Sequence, residues 1–299
     1  MSALVPPAGD GGVTAPVAGQ TPGLLRRSLA TGRTRAGLAI TMLVVAVAVV
    51  GPFVAPGGET AIVGPPNASE VPGLLFGTDV TGRDVWTRFL HGGISVLWLS
   101  ALCTLVGVGA GLLIALLAGY SRTWVDEILM RTTDVFLAFP AIVLALLFLA
   151  IFQPSAWTVI LTVALGHAPR VARVMRSAVL DVAGRDYVRS AESMGLRRWS
   201  IRLGDLLPNV TGPLMVECGL RLTYSIGLVA GLGFLGLSGL AIDQADWGLM
   251  INEGRTAFTV QPWPVLLPVT AIGLLTVGTN LIADGIARAA AGTDREVGE

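Results

Sequence analysis

Long runs of hydrophobic residues alternate along this chain with short polar segments. A bilayer core about 30 Å thick needs roughly 20 consecutive apolar residues for each helix that crosses it. The pattern therefore predicts an all-α protein with six transmembrane helices. Their approximate ranges are 36–56, 94–119, 133–152, 156–178, 210–236 and 264–287.

The third and fourth of these spans have features that set them apart. Pro140 lies within the third span and is expected to kink it. The apolar part of the fourth span is short, from Trp157 to Gly166, and arginines follow it at positions 170, 173 and 176. We expect one long helix that leaves the membrane, with these arginines at or beyond the lipid boundary.

Two pairs of glycines indicate where helices pack closely. Gly107 and Gly111 are four residues apart in the second span, and Gly227 and Gly231 have the same spacing in the fifth. Lipid supplies no hydrophobic drive between helices, so small residues at this spacing favour close approach of two backbones. Both pairs therefore predict helix contacts.

The composition agrees with a lipid environment. The chain has 299 residues, of which 53% are hydrophobic and only 13% are charged, and its mean hydropathy is +0.72. A soluble domain usually carries about 25% charged residues. The chain is therefore predicted to be an integral membrane protein, embedded in the lipid bilayer.

The charged residues exclude several kinds of chemistry. The 20 basic residues balance 20 acidic ones, so no nucleic acid partner is expected. All the basic residues are Arg, which excludes a phosphate loop of the G-x-x-x-x-G-K-[ST] kind and a Lys Schiff base. If ATP drives this protein, another chain hydrolyses it. The two Cys and two His are scattered, so we expect no catalytic residue, no metal site and no cofactor.

The distribution of arginines predicts the orientation of the chain. Sixteen of the 20 fall on one side of the predicted spans, three on the other, and Arg221 within a span. Positive charge concentrates on the cytoplasmic side of membrane proteins, so both termini are predicted to be cytoplasmic. The expected organisation is a disordered tail at 1–35, the first span with its outer loop at 36–93, a five-helix core at 94–290, and a tail at 291–299.

The cytoplasmic loop at 179–209 contains a predicted short amphipathic helix. Val188, Ala191 and Met194 recur every three residues and form one apolar stripe. The spacing leaves two interpretations open, a helix on the lipid headgroups or one that docks on another protein. Ser190 and Ala191 are small enough to let a partner's backbone approach closely.

Local signals predict the ends of this helix. Asp186 is predicted to be the N-cap, and Gly195 suits the C-terminus because glycine tolerates positive φ. Pro208 is expected in the first turn of the next span.

The order of residues in the loop resembles the E-A-A-(x)3-G-(x)9-I-x-L-P loop of inner-membrane permeases in ATP-binding-cassette importers. Two of the three letters of the first triplet depart from that pattern. The family's E-A-A falls on Arg189, Ser190 and Ala191, its Gly on Gly195, and its L-P on Leu207 and Pro208.

Other segments resemble the dipeptide/oligopeptide permeases, in consistent order over about 36–290. The sequence GTDVTGRD at 77–84 is similar to the segment that precedes the family's second span. Segments of the C-terminal third also agree, namely FLGL at 234–237, WG at 247–248, EGR at 253–255, Trp263 and NLxxDG at 280–285. The chain thus resembles the second, C-type permease subunit of such an importer.

The resemblance implies a fold, a location and a set of partners. The fold would be that of a type I importer permease (MetI-like), with a cytoplasmic coupling helix, in a bacterial inner membrane. Partners would be a second permease subunit, two ATPase subunits and an extracytoplasmic substrate-binding protein. The coupling residues implied are Tyr187, Val188, Arg189, Ser190, Ala191, Glu192, Met194, Gly195, Leu207 and Pro208.

Function follows as an expectation, with alternatives. The chain would form half of a pathway for dipeptides or oligopeptides, and nickel permeases share the same motifs, so nickel or another small solute stays open. An ion-coupled secondary carrier would instead use Glu217, Arg221 or His167 directly. Such a carrier has no need of a helix that docks on an ATPase.

Glu217 and Arg221 lie four residues apart in the fifth span and share one helix face. Ionisable groups inside a span are costly and usually face the bundle interior or a water-filled cavity. The pair either borders the translocation path, where a zwitterionic peptide would meet both charges, or neutralises itself and holds the helix in place.

Overall fold

A computed structural model of the chain describes residue 28 and residues 31–121, 124–241 and 243–291. Within these residues the chain forms eleven α-helices and two isolated β-bridges. The helices are α1 (Gly32–Val54), α2 (Val85–Ser121), α3 (Trp124–Leu137), α4 (Ala141–Phe152), α5 (Ala156–Ala183), α6 (Asp186–Ser193), α7 (Arg198–Ile201), α8 (Leu207–Asn209), α9 (Thr211–Phe234), α10 (Trp247–Gly254) and α11 (Trp263–Ala291).

The predicted tails lie mostly outside the described residues, which exclude 1–27 and 292–299. α1 begins at Gly32, so the tail boundary predicted at residue 35 is a few residues too late.

A π-helical turn, Arg202–Leu206, joins α7 to α8, and a 3-10 turn, Arg255–Ala257, follows α10.

Five of the six predicted spans are apolar enough to cross a membrane. α1, α2, α9 and α11 meet this criterion alone, and α3 with α4 meets it as a bent pair. The remaining span is α5, whose arginines lower its apolarity. Arg176 is paired with Asp126 at 2.5 and 2.7 Å, and Arg173 is paired with Asp134. Both acids belong to α3. Arg173 and Arg176 therefore bind a neighbouring helix, in addition to the position at the lipid boundary that the sequence predicts for them.

Pro140 does more than kink the third span. α3 and α4 meet at an angle of 89°, so the predicted continuous helix at 133–152 is wrong. Proline lacks a backbone N–H and disfavours helical conformation at the residue before it, here Phe139. The chain therefore stops one helix and starts another at this point.

α2 begins at Val85, nine residues earlier than the predicted span at 94–119. Asp84, the last residue of the GTDVTGRD segment, accepts hydrogen bonds from the N–H groups of Trp86 and Thr87, each at 3.1 Å. A carboxylate in this position satisfies free N–H groups at a helix start. The segment therefore both ends the outer loop and caps α2.

α2 packs along α5 with almost no space between the backbones. A Cβ placed on Gly111 would lie 2.6 Å from the Cβ of Val171, and one on Gly107 would lie 2.9 Å from the Cβ of His167. The predicted close contact at this pair is confirmed. The prediction for Gly227 and Gly231 is wrong within the described residues, because no atom lies within 4 Å of a Cβ at either.

α1 and α11 form a second close contact. A Cβ on Gly37 would lie 2.7 Å from the Cβ of Leu281 and 2.8 Å from the carbonyl oxygen of Gly278. α1 and α11 therefore pack as α2 and α5 do, with a glycine at the point where the two backbones meet.

The substitution Gly111→Ala should destabilise the fold, and Gly109→Ala is its matched control on the same helix. A methyl group at 111 collides with Val171 and with a backbone oxygen of α5, which costs about 1–3 kcal/mol. A methyl group at 109 meets no atom within 4 Å, and alanine favours helix by up to about 1 kcal/mol. Detergent unfolding followed by circular dichroism measures both, and equal stabilities would contradict the α2–α5 contact.

Candidate functional site

The predicted amphipathic helix is α6, and its C-terminus has the expected geometry. Gly195 has φ +75°. Its N–H donates to the carbonyl of Glu192 at 3.0 Å, and the N–H of Leu196 donates to the carbonyl of Ala191 at 3.3 Å. This is a Schellman motif, which ends the helix and needs a residue in the left-handed region. The expected role of Gly195 at the helix end is confirmed.

The predicted N-cap is wrong. Arg185 occupies the N-cap position without a side-chain capping bond, and Asp186 is the first residue of the helix. A carboxylate in the first turn still stabilises the helix through the dipole of the backbone. Asp186 therefore occupies the first helical position rather than the N-cap position predicted for it.

One face of α6 is buried within the chain. Val188 is fully buried and Ala191 is 5% exposed. Both pack in one apolar cluster with Leu116 of α2 and with Met175 and Val179 of α5. The expectation that Ala191 lets a partner approach is therefore wrong, because the side chain faces this chain's own spans.

The opposite face of α6 and the turn after it are exposed. Met194, which the apolar stripe grouped with Val188, is 73% exposed and does not join the buried face. The surface combines large apolar groups with positive charge. Its exposed residues are Tyr187, Arg189, Ser190, Glu192, Met194, Gly195, Leu196, Arg197, Arg198 and Trp199. We call this set the α6 surface, and this end of the bundle the α6 end.

The chain returns to the bundle through the π-helical turn Arg202–Leu206. Pro208 lies in α8, ahead of the span that starts at Thr211, so its predicted place in the first turn of that span is wrong. Because proline cannot donate a hydrogen bond to the preceding turn, that turn widens into a π-helix. Leu207 is half-buried and Pro208 is exposed.

Glu217 and Arg221 form a buried ion pair in α9. The Nε of Arg221 donates to Oε2 of Glu217 at 3.0 Å, and both residues are buried. The guanidinium carbon of Arg221 also lies 5.3 Å from the centre of the Tyr224 ring. On its other side Glu217 lines a cavity of about 350 Å³ between α5, α9 and α11. The arrangement neutralises both charges and still leaves a carboxylate at the wall of a cavity.

A buried hydrogen-bond chain joins α5, α9 and α2. The Nε2 of His167, which is fully buried, lies 2.9 Å from Oγ of Ser225. That hydroxyl lies 3.0 Å from Oγ1 of Thr104, which donates to the carbonyl of Ser100 at 2.8 Å. His167 therefore lies inside the bundle, where its ring is hydrogen-bonded to Ser225.

The opposite end of the bundle, which we call the α10 end, holds a buried network of two arginines and two acids. Arg88 is 1% exposed and contacts Oδ2 of Asp79 at 2.6 Å through Nη1. The same Nη1 contacts Oε2 of Glu253 at 2.5 Å. Arg83 contacts the same two acids, at 2.9 and 3.2 Å. The network therefore binds the GTDVTGRD segment to the EGR segment of α10, 170 positions along the chain.

Asp79 remains ionised in this network. Burial alone would raise the pKa of its carboxyl, but hydrogen bonds from the N–H of Arg83 and from Thr81, with the charge of Arg88, outweigh it and hold that pKa below its ordinary value. Gln261 adds a second tie, because its Nε2 donates to the carbonyls of Ala68, Phe76 and Thr78. The long outer loop is thereby fixed to the start of α11.

Sequence reasoning missed the role of Asp246 and Trp247. Trp247 is fully buried against α2 and donates from Nε1 to the carbonyl of Phe89 at 2.9 Å. Asp246 caps α10 and accepts a hydrogen bond from Ser95 at 2.7 Å, and its burial raises the pKa of the carboxyl. An Asp before Trp-Gly is a capping signal that could have been used.

Arg88→Met should destabilise the fold by about 3 kcal/mol at pH 7, because Asp79 and Glu253 lose the more buried of their two arginine partners and keep only Arg83. The matched control is Arg255→Met, which removes an exposed arginine 5.8 Å from the Phe234 ring and should change stability by less than about 1 kcal/mol. Detergent unfolding measures both variants, and equal losses would contradict the network.

The same network predicts a pH dependence. The pKa of Asp79 is lower in the fold than in the unfolded chain. The stability that its carboxylate gives the fold is therefore fully present above about pH 4, and it is lost as the pH falls through the pKa of the folded state. The difference in stability between the wild type and Arg88→Met should therefore shrink below about pH 4.

Comparison with known proteins shows the family. Residues 111–291 match the binding-protein-dependent transport system inner membrane components. A protein of Brucella suis biovar 1 (strain 1330), provisionally named as a peptide transport system permease protein, is 35% identical over 281 residues, 91% of this chain and 92% of that protein. The di/tripeptide transport system permease protein DppC of Pseudomonas aeruginosa (strain UCBPP-PA14) is 32% identical over 257 residues, 84% of each chain.

A solved structure supports the expected fold. A chain of the MetNI methionine ABC transporter, in an inward-facing conformation, matches with a TM-score of 0.52 and 18% identity, over 67% of this chain and 96% of that one. The likeness confirms the MetI-like permease fold and no more than the fold. This chain therefore belongs to the family of inner membrane components of binding-protein-dependent transport systems.

Proposed function

We propose that this chain forms half of the pathway through which an ATP-driven importer takes up dipeptides and oligopeptides. The two relatives described above have names that refer to peptides or di/tripeptides. The observation that carries the proposal is α6, whose apolar face is buried in its own bundle while its other face is exposed. A helix fixed on one side and open on the other suits a lever that a second protein pushes.

Two features of the chain suggest its partners, the absence of Lys and the exposed α6 surface. Two ATPase subunits hydrolyse the ATP, because this chain has no Lys for a phosphate loop. They dock on the α6 surface. A second permease subunit completes the pathway, and an extracytoplasmic binding protein delivers the solute at the α10 end. Both termini are cytoplasmic, in line with the concentration of arginines on that side.

The contacts around α6 define which parts move with it. Its buried face packs on the ends of α2 and α5, and those two helices are joined by Gly107 and Gly111 and by the His167 hydrogen-bond chain. A displacement of α6 therefore moves α2 and α5 together. Rocking of such a rigid group opens the pathway alternately to each side of the membrane.

Glu217 marks one edge of the proposed path. It lines the cavity at the α6 end, and its Oε2 accepts a hydrogen bond from Arg221. A peptide that leaves toward the cytoplasm carries an ammonium group and a carboxylate, which complement this pair. An ion-coupled carrier is less well supported, because Glu217 and Arg221 satisfy each other and His167 is bonded to Ser225.

Nickel or another small solute would use the same coupling surface, so the nature of the solute depends on the binding protein. Uptake assays of the assembled importer with labelled peptides and with labelled nickel separate the two. Uptake of nickel without uptake of peptides would contradict the peptide assignment.

Ser190→Cys should cross-link to the ATPase, and Ala191→Cys is its matched control. Ser190 is exposed, whereas Ala191 is 5% exposed on the buried face. Both variants are made in a Cys-free chain, with Cys103→Ala and Cys218→Ala. A photoactivatable maleimide is attached, and mass spectrometry identifies the adduct in the assembled complex. We expect an ATP-binding protein with Ser190→Cys and no labelling at Ala191→Cys. An adduct that contains only lipid would contradict the docking site.

The double substitution Glu217→Gln with Arg221→Gln should reduce peptide uptake about tenfold, the scale of a lost hydrogen bond to a charged group. Both charges disappear together, so no unpaired charge is left buried. Uptake into cells and the amount of assembled protein are measured side by side. Unchanged uptake would show that the pair only neutralises itself.

A further inference from the structure

Arg202, the first residue of the π-helical turn, has a charged side chain in a buried place. The residue is 8% exposed. Its guanidinium carbon lies 5.5 Å from the centre of the Tyr120 ring and 4.9 Å from that of the Trp199 ring. Among the described residues no acid forms an ion pair with it, and its Nε has no hydrogen-bond partner. Two aromatic faces hold this cation.

The two rings belong to parts of the chain that need to move together. Tyr120 is in the last turn of the spanning helix α2. Trp199 is in α7, on the exposed α6 surface. The ring of Tyr120 also packs against the apolar cluster that contains Val188 and Ala191 of α6. Tyr120 is therefore a point at which α2 contacts both the coupling helix and the turn that follows it.

Stability alone does not explain an arginine here. Ile201 and Leu206, which lie near it in the chain, belong to a buried apolar cluster. Burial of a charge without an acid is unfavourable compared with an apolar side chain of similar size. Apolar contacts are also non-directional, so they allow sliding. A planar guanidinium stacked on two rings has a defined geometry that a lysine would not reproduce.

We propose that Arg202 is a positioning residue that transmits the displacement of the α6 surface to α2. The guanidinium, stacked on Trp199 and Tyr120, makes the loop and the spanning helix one mechanical unit. The apolar contact of Val188 and Ala191 holds the loop in place, and the stack fixes its direction of movement. This role rests on the proposed function, since it needs an ATPase that moves the loop.

The test is the ratio of peptide taken up to ATP hydrolysed. The complete importer, purified through a tag on this chain, is reconstituted in proteoliposomes with a radiolabelled mixture of peptides. Arg202→Met should lower the ratio about tenfold, the scale of a desolvated cation–π contact, while the amount of assembled complex stays unchanged. The matched control is Arg131→Met on α3, an exposed arginine paired with Glu127, which should leave the ratio within about twofold.

Ring substitutions separate the role of the aromatic face of Tyr120 from that of its hydroxyl. Tyr120→Phe keeps the aromatic face and loses the hydroxyl, so the ratio should stay near that of the wild type. Tyr120→Leu removes the face and should reproduce the loss of Arg202→Met. The two substitutions combined should be no worse than either alone, because they break the same contact.

A distance measurement tests the connection between α2 and α6 without an uptake assay. Spin labels at Leu113 of α2 and Ser193 of α6, in the Cys-free chain, should give a narrow distance distribution that Arg202→Met widens. An unchanged distribution, or an unchanged uptake ratio in an importing complex, would overturn the role of Arg202. A wild-type complex with no ATP-driven uptake would instead contradict the proposed function.

Discussion

The close contact between α2 and α5 is the constraint on which the rest of the bundle depends. Lipid offers these helices no hydrophobic reason to associate, so van der Waals contact and polar bonds have to hold them. Gly107 and Gly111 let the backbones meet, and His167 and Ser225 add a polar link to α9. Because α6 rests on the ends of this pair, the proposed lever has a firm base only while the pair stays packed.

The buried ionic network at the α10 end holds the outer loop in place. The outer loop has almost no regular secondary structure, and a segment of this kind would be free to change shape. Arg88 and Glu253 fix it through charge, by pairing with Asp79 and Arg83 of the loop. Gln261 fixes it through three backbone carbonyls. Since each charge has an opposite charge in contact, the cost of burial is offset by the pairing. A rigid outer surface is what a delivering protein would require.

The sequence predicted features that depend on local chemistry. The apolar runs give the spans because length and hydropathy are local properties, and Gly195 has the positive φ that its place after a helix suggested. Features that depend on distant residues could not be predicted. A short amphipathic helix does not reveal which face turns inward, so Ala191 was placed on the wrong side. The same limit applies to Gly227 and Gly231, because small residues permit close approach but do not supply a neighbour.

The length of α2 explains where the chain places its charged contacts. Its 37 residues extend for about 55 Å, well beyond a hydrocarbon core of about 30 Å. Both ends therefore project out of the lipid, where arginines and acids are tolerated. Arg88 anchors one end to the outer loop, and Tyr120 meets Arg202 at the other. A rigid helix held at both ends transmits a displacement without bending, so one element connects the surface proposed for the binding protein with the surface proposed for the ATPase.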